Sequence, residues 1–203
     1  VLYAAVHARE LATAEIAWNW IDHLVDGYGT DPTVTALMDT TEMWVIPVAN
    51  PDGRQIVESG GTAPYYQRKN ANDSRGSCRR PPTSSNQYGV DMNRNATWHW
   101  GGVGSTSTAC AQEYRGTAAA SEPETSAQQA LFDSLYRDRR GTGTGDAAPA
   151  DTTGTFMSYH SYAGLVLYPW GDTTRDAPNA AKLAALANRL NDSNGYTTGQ
   201  GPE

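Results

Sequence analysis

Short apolar runs with the character of β-strands alternate along this chain with longer runs of helical periodicity. Residues 1–6 form an apolar run that predicts a buried strand. Apolar side chains between Leu11 and Val25 recur at helical spacing, which predicts a helix ending near Gly27. The alternation continues with predicted strands over 43–48, 155–159 and 165–168, a helical turn over 34–38, and helices over 121–136 and 180–190. This order predicts an α/β fold, with a mixed, mostly parallel twisted sheet sandwiched by helices.

Two local patterns mark element boundaries. Asn50-Pro51-Asp52-Gly53 follows the second predicted strand and is a strong turn signal. Ser121-Glu122-Pro123-Glu124 has the form of a capping box, which predicts that a helix opens there. Between these patterns, residues 58–118 are poor in aliphatic side chains. An irregular stretch of this length inside a compact domain is usually functional.

The length of the chain favours one domain. Its 203 residues suffice for one sizeable core, and no linker divides it, so we predict a single domain over 1–203. Because the first residue already lies inside an apolar run, we expect a natural precursor to extend further back.

Charge and hydropathy exclude several classes of partner. Lys and Arg total 15 against 22 Asp and Glu, a formal net charge of −7, whereas nucleic-acid binding needs a concentrated basic surface. No apolar run approaches the ~18–20 residues of a membrane span. Lysine occurs only at Lys69 and Lys182, and Gly, Ser, Thr, Asn and Tyr are abundant, as in many exported bacterial enzymes. We therefore expect a secreted protein that binds neither nucleic acid nor membrane.

The two cysteines favour the same compartment. Cys78 and Cys110 lie in polar segments and neither has a second thiol nearby, so a disulfide is favoured over a cysteine metal site. Such a bond would close a loop of about 32 residues, worth roughly 3–4 kcal/mol in the chain-entropy model. It would also indicate an oxidising environment.

Three residues at predicted strand ends have the chemistry of a zinc site. His7 and Glu10 follow the first strand three positions apart, so both side chains can converge on one point. His160 follows the strand predicted over 155–159. Ligand sites in open α/β sheets gather at the carboxyl ends of strands, and a catalytic zinc takes three protein ligands of these types. His-x-x-Glu alone is a weak signal, and a chance surface pair is the alternative.

Five motifs in one order strengthen that interpretation. They are His7-Ala8-Arg9-Glu10, Asn50-Pro51-Asp52-Gly53, Gln67-Arg68-Lys69, Asp91-Met92-Asn93-Arg94-Asn95 and His160-Ser161-Tyr162. Together they closely resemble the M14 family of zinc carboxypeptidases, over the whole chain. The Cys78/Cys110 pairing also resembles a disulfide found in part of that family.

The resemblance implies a role for each matching residue. It implies one Zn²⁺ held by His7, Glu10 and His160, and an enzyme that hydrolyses the C-terminal peptide bond of peptides or proteins with a zinc-activated water. Arg68 would stabilise the oxyanion. The substrate-binding residues would be Asn93 and Arg94 for the terminal carboxylate and Arg9, Ser161 and Tyr162 for the preceding residues. A guanidinium fork suits a free carboxylate.

The chain departs from the family pattern at its end. Family members carry a glutamate general base on a late strand, and Tyr196 and Glu203 come too early for the roles of the family's late tyrosine and glutamate. We expect the last strand and helix to be missing, and a C-terminal remainder of the same protein to be a partner. Losing a positioned base typically lowers the rate 10²–10⁴-fold, so this chain alone should be nearly inactive.

Alternatives remain open at this point. The chain could be an inactive module that binds zinc and peptide termini, or a related deacylase or cell-wall peptide hydrolase. Asn93 and Arg94 argue for the carboxypeptidase, because a free α-carboxylate needs a reader. His23 is expected to be structural. His99 is expected to pack in a loop against the sheet, with an outer substrate subsite as the alternative.

Overall fold

The computed structural model describes residues 1–143 and 145–201. Its helices are α1 (Leu11–Gly27), α2 (Pro32–Thr40), α3 (Pro51–Glu58), α4 (Pro123–Leu135) and α5 (Ala180–Asn191), with a 3-10 turn at Met92–Arg94. Its strands are β1 (Leu2–Ala4), β2 (Val45–Ile46), β3 (Met157–Tyr159), β4 (Leu165–Leu167) and β5 (Thr197–Gly199). Among these described residues, no helix has both the length and the apolar character needed to cross a membrane.

The strands form two parallel sheets. One has the order β2-β1-β3, so β1 lies in its centre, and the other pairs β4 with β5. Leu2 pairs with Val45 on one side of β1 and with Met157 on the other. Helices connect the parallel strands, as parallel pairing requires. The predicted α/β class is therefore confirmed, whereas β5 was not predicted because Thr197–Gly199 lacks an apolar run.

One boundary prediction was wrong, and the other was right about where a helix opens but wrong about its capping residue. Asn50-Pro51-Asp52-Gly53 opens helix α3 and does not form a simple turn, because Asn50 Oδ1 accepts a hydrogen bond from Gly53 N at 3.0 Å and Pro51 takes the first helical position. Helix α4 begins at Pro123, and Glu122 is its N-cap residue. Ser121 does not cap it, because its hydroxyl donates to Glu122 Oε1 at 2.8 Å.

A small apolar core lies directly under the ends of the central strands. Its buried members are Tyr3, Val6, Ala49 and Met92. Phe132 of α4 packs edge-on against Tyr3, with ring centroids 5.9 Å apart. Since Val6 adjoins His7 and Met92 adjoins Asp91 in sequence, this core fixes the backbone that carries the polar residues above it.

The irregular region 58–118 is held by buried amides and a disulfide. Gln67, Asn70 and Gln87 are almost completely buried, and their side chains bond backbone groups of neighbouring segments. Cys78 and Cys110 form a disulfide with their Cα atoms 5.3 Å apart, as predicted. Segments without a regular ladder still need partners for their buried backbone groups, and these amides supply them.

The backbone segment that leads to Asp91 requires a glycine at position 89. Gly89 has φ +99°, and a Cβ there would lie 2.1 Å from the Asn70 carbonyl oxygen. Gly61 also has a positive φ, +60°, but a Cβ there would meet nothing within 4 Å. The first glycine is therefore required by a close backbone approach as well as by its conformation.

We expect Gly89→Ala to lower the free energy of unfolding by about 3 kcal/mol or more, since strain adds to an unavoidable clash. The control Gly61→Ala should lose only about 1–2 kcal/mol, from the backbone conformation alone. Urea denaturation of both variants measures the difference. Equal losses would show that the contact with Asn70 does not constrain the fold.

Candidate metal centre

Adjacent strands bring His7 and His160 to the same edge of the sheet. β1 and β3 are parallel neighbours, and Ala4 pairs with Tyr159 at their carboxyl ends. His160 follows β3 directly, and His7 follows β1 after a sharp bend in which Ala5 has φ +53°. Two histidines 153 positions apart thus face each other because their strands pair in register.

His7, Glu10 and His160 form a compact cluster. His7 Nδ1 lies 2.9 Å from Glu10 Oε1, and His160 Nδ1 lies 3.1 Å from Glu10 Oε2. The two Nδ1 atoms are 3.2 Å apart. The candidate ligand atoms of the three residues all lie within 4.8 Å of one another, which is the separation one ion could bridge. The structure brings together the three residues that the sequence predicted.

The second nitrogen of each imidazole faces another polar group. His7 Nε2 lies 3.4 Å from Asp91 Oδ1, and His160 Nε2 lies 3.2 Å from the Ser158 hydroxyl. Metal-binding histidines typically have a partner of this kind on the outer nitrogen, which orients the ring. Both rings therefore present Nδ1 to the centre of the cluster.

Burial and polar neighbours have opposite effects on the pKa values of Glu10 and His7. Burial raises the pKa of the Glu10 carboxyl, but hydrogen bonds from His160 and His7 outweigh it and lower that pKa to about 2. Burial lowers the pKa of His7, but contacts with Asp91 and Glu10 outweigh it and raise that pKa above its ordinary value. Glu10 is thereby kept ionised, the form in which a carboxylate can bind a cation.

Arg68 is oriented by the buried carboxylate of Asp91. Its Nε and one terminal nitrogen both lie 2.9 Å from Asp91 Oδ2, and the Arg68 side chain is 12% exposed. Asp91 is completely buried, and burial raises its pKa, but His7 and Arg68 outweigh this and hold that pKa well below its ordinary range. No role was predicted for Asp91, although its place in the Asp91-Met92-Asn93-Arg94-Asn95 motif was the available signal.

Asn93 and Arg94 lie in the 3-10 turn that Asp91 caps. Asp91 Oδ1 accepts a hydrogen bond from Asn93 N at 3.0 Å. The Asn93 side chain is exposed. Arg94 donates to the carbonyl oxygens of Gly104 and Asn93 at 2.8 and 2.9 Å. The turn therefore fixes both residues relative to Arg68 through one shared carboxylate.

The other predicted substrate-binding residues are neighbours of the cluster residues in the sequence. Arg9 Nη2 donates to Gln112 Oε1 at 3.0 Å, and its guanidinium carbon lies 4.5 Å from the centre of the Tyr66 ring. Ser161 and Tyr162 follow His160, and Tyr162 is 98% exposed. Gln112 was not predicted, since nothing in the sequence around Cys110 distinguishes its side chain.

The remaining histidines lie outside the cluster. His23 packs against Trp20 within α1 in a tilted arrangement, with 5.6 Å between ring centroids. His99 stacks on Trp98 at 4.3 Å, and its Nδ1 contacts the Asp172 carboxylate. The expected loop packing of His99 is therefore found, but its described partners lie in loops and not in the sheet. Glu203 lies outside the described residues.

Solved carboxypeptidases share this arrangement of strands and helices. The structure of thrombin activatable fibrinolysis inhibitor superposes with a TM-score of 0.76 at 22% identity, covering 98% of this chain and 46% of that one. Carboxypeptidase A from Helicoverpa armigera gives a TM-score of 0.65 at 26% identity, covering 93% and 39%. The fold is thus of the carboxypeptidase class.

Sequence comparison gives the family. The zinc carboxypeptidase model matches residues 1–201. Carboxypeptidase A2 of Rattus norvegicus is 29% identical over 192 residues, covering 92% of this chain and 40% of that protein. This chain belongs to the zinc carboxypeptidase (M14) family. It spans about 40% of the length of that curated relative.

We expect Asp91→Ala to lower the free energy of unfolding by about 3–5 kcal/mol, because it leaves the largely buried Arg68 without its counter-charge. Asp138 pairs with Arg140 on the surface, where its side chain is 63% exposed. Asp138→Ala should therefore leave stability near the wild-type value, since exposed pairs contribute little. Urea denaturation measures both, and similar stabilities would mean that Asp91 does not support the site.

Proposed function

We propose that this chain forms the zinc-binding and substrate-recognising part of a metallocarboxypeptidase that removes C-terminal residues from peptides and proteins. The observation that carries the proposal is the convergence of His7, Glu10 and His160 beside Arg68. Membership of the zinc carboxypeptidase family supports it. We further propose that residues 1–203 belong to one catalytic domain.

The residues present fit one zinc ion. Two imidazole nitrogens and a carboxylate oxygen are donors that zinc prefers, and three protein ligands leave a position open. His7, Glu10 and His160 would hold the ion. When bound, zinc supplies Lewis-acid activation of water and of the scissile carbonyl. The chain itself contributes the orientation of both rings, through Asp91 and Ser158.

Three arginine and asparagine side chains give the site its substrate chemistry. Arg68 stands beside the cluster with its position set by Asp91, so it can place positive charge where an oxyanion develops. Arg94 and Asn93, on the turn next to it, would receive the terminal carboxylate of the peptide. A free C-terminus is therefore the feature that distinguishes this proposal from a deacylase.

A second candidate function rests on the acids near the cluster. Within the described part of the chain, the cluster contains one carboxylate, Glu10, and contacts a second, Asp91. Glu10 is already bound by His7 and His160, and Asp91 by Arg68 and His7. Neither is placed to act as a general base. We propose that a C-terminal remainder of the protein supplies a glutamate as the general base. This chain alone would then bind zinc and peptide termini with little turnover.

The disulfide supports a proposal about the compartment in which the protein works. A disulfide between Cys78 and Cys110 persists in oxidising compartments, which supports a secreted protein. The substrate is proposed to be a peptide or protein with a free C-terminus. The net charge of −7 favours neither a nucleic acid nor an anionic membrane as partner.

We expect the chain to bind one equivalent of Zn²⁺, measured by competition with a chromophoric chelator. His160→Ala should weaken this affinity more than about 100-fold, since loss of a mere supporting partner already costs 10–100-fold. His160 suits the test because its side chain is 31% exposed and the variant should fold. His23→Ala is the matched control and should bind as wild type; equal affinity of all three proteins would exclude the proposed ligand set.

With zinc in place, we expect a blocked dipeptide with a free C-terminus to bind at least tenfold more tightly than its C-terminal amide, measured by calorimetry. Arg94→Ala should abolish that preference, because a charge-assisted hydrogen bond to the carboxylate contributes about 1.5–3 kcal/mol. Arg189, exposed on α5, provides the control variant Arg189→Ala. If the amide binds as well as the acid, the deacylase alternative is favoured.

The activity itself is tested on the chain extended to its natural C-terminus. Release of the terminal amino acid by the extended protein, stopped by a chelator, supports the carboxypeptidase proposal. If the extended protein binds zinc and releases nothing, the inactive binding module takes its place.

A further inference from the structure

We propose that Gln112 is a positioning residue for Arg9, and that together with Tyr66 it builds a clamp for the peptide residues preceding the scissile bond. We call Arg9, Tyr66 and Gln112 the Arg9 clamp. The inference rests on the proposed function, because it concerns the same substrate. It assigns to the loop after Cys110 a preference for peptides longer than a dipeptide.

Arg9 is held at two points by residues distant in sequence. Its Nη2 donates to Gln112 Oε1 at 3.0 Å across 103 positions. Its guanidinium carbon lies 4.5 Å from the centre of the Tyr66 ring, within the range of a cation–π contact. Since Arg9 lies between His7 and Glu10 in sequence, the clamp places a fixed cation immediately beside the metal cluster.

One donor of Arg9 remains for a ligand. Its Nη1 is buried and has no hydrogen-bond partner among the described residues. A buried donor without an acceptor is unfavourable, so a small movement of the Arg9 side chain that brought Nη1 to a peptide carbonyl oxygen would be favoured. Tyr66 is 52% exposed, and its ring can line the same approach.

The neutrality of Gln112 matters for that role. A glutamine carbonyl orients the guanidinium without cancelling its charge. Arg68 is a second cation near Arg9, because the Arg68 carbonyl oxygen accepts a hydrogen bond from the backbone N–H of the neighbouring Ala8 at 3.0 Å. Because two cations lie close together in this region, an electron-rich group such as the carbonyl oxygen of an extended peptide is favoured beside them.

Gln112 is itself fixed by its neighbours. Cys110 is tied to Cys78 by the disulfide. The Lys69 ammonium donates to the carbonyl oxygens of Ala109 and Ala111 at 2.8 and 2.9 Å, and Lys69 is completely buried. The loop that carries Gln112 is therefore anchored to the residue next to Arg68. A side chain on such a loop can hold a partner in one place.

The test compares two peptides on three variants of the zinc-loaded chain. We expect a blocked tripeptide with a free C-terminus to bind wild type more tightly than the corresponding blocked dipeptide, by calorimetry. Gln112→Ala should weaken the tripeptide about tenfold and leave the dipeptide unchanged, since one hydrogen bond to a charged group is lost. Gln112→Glu keeps an acceptor but adds a negative charge, so it should keep Arg9 in place without restoring tripeptide binding to the wild-type level. Gln55→Ala, at an exposed position on α3, should match wild type.

A second measurement separates this inference from the proposed function. The NMR signals of the Arg9 Nη2 protons, which are bonded to Gln112, should be protected from solvent exchange in wild type and in Gln55→Ala, and should lose protection in Gln112→Ala. Unchanged protection, or an equal loss of affinity for both peptides, would overturn the positioning role. If wild type binds neither peptide while the Arg9 signal responds as expected, the positioning of Arg9 stands and the proposed function is wrong.

Discussion

One buried carboxylate holds the site together. Asp91 accepts from the Arg68 guanidinium, faces His7 Nε2, and caps the turn that carries Asn93 and Arg94. A charge removed from water in this way is tolerated only when its partners replace the lost hydration, and here every partner is a proposed functional residue. The proposed cation for the oxyanion, one proposed metal ligand and the residues proposed to bind the terminal carboxylate are therefore all fixed relative to the Asp91 carboxylate.

Neutral amides do for the loops what Asp91 does for the site. Gln87 accepts from Arg68 N at 2.7 Å and donates to the carbonyl oxygen of Tyr66, so it fixes the segment that carries Arg68. Asn95 donates to the Arg115 and Ala118 carbonyl oxygens and so ties the end of the 3-10 turn to the segment over 115–118. Amides donate and accept without adding charge, which lets an irregular segment be buried beside a crowded set of ions.

Periodicity and motif order revealed much of this molecule, and the reason is local. Helix α1 and the strands β1 and β3 could be predicted from the periodicity of a few consecutive residues. His7, Glu10 and His160 could be predicted because they follow strand ends, where ligand sites gather. The contacts of Asp91, Gln87 and Gln112 join segments 19 to 103 positions apart. No local signal marks Gln87 or Gln112 as such partners, whereas the motif that contains Asp91 was the one available signal for it. For the same reason β5, which is defined by its pairing with β4, could not be predicted.

The arginines around the cluster are opposite in sign to the net charge of the chain. The chain carries −7 overall, so its long-range field does not attract a peptide carboxylate, and salt screens that field beyond about 8–10 Å. Recognition must therefore occur at contact distance. Arg9 and Arg68 are each oriented by a hydrogen bond, and for Arg9 the acceptor is the uncharged side-chain carbonyl of Gln112. Arg9 is therefore held in place by a neutral acceptor, an arrangement that suits the proposed binding of a carbonyl-rich peptide by an acidic chain.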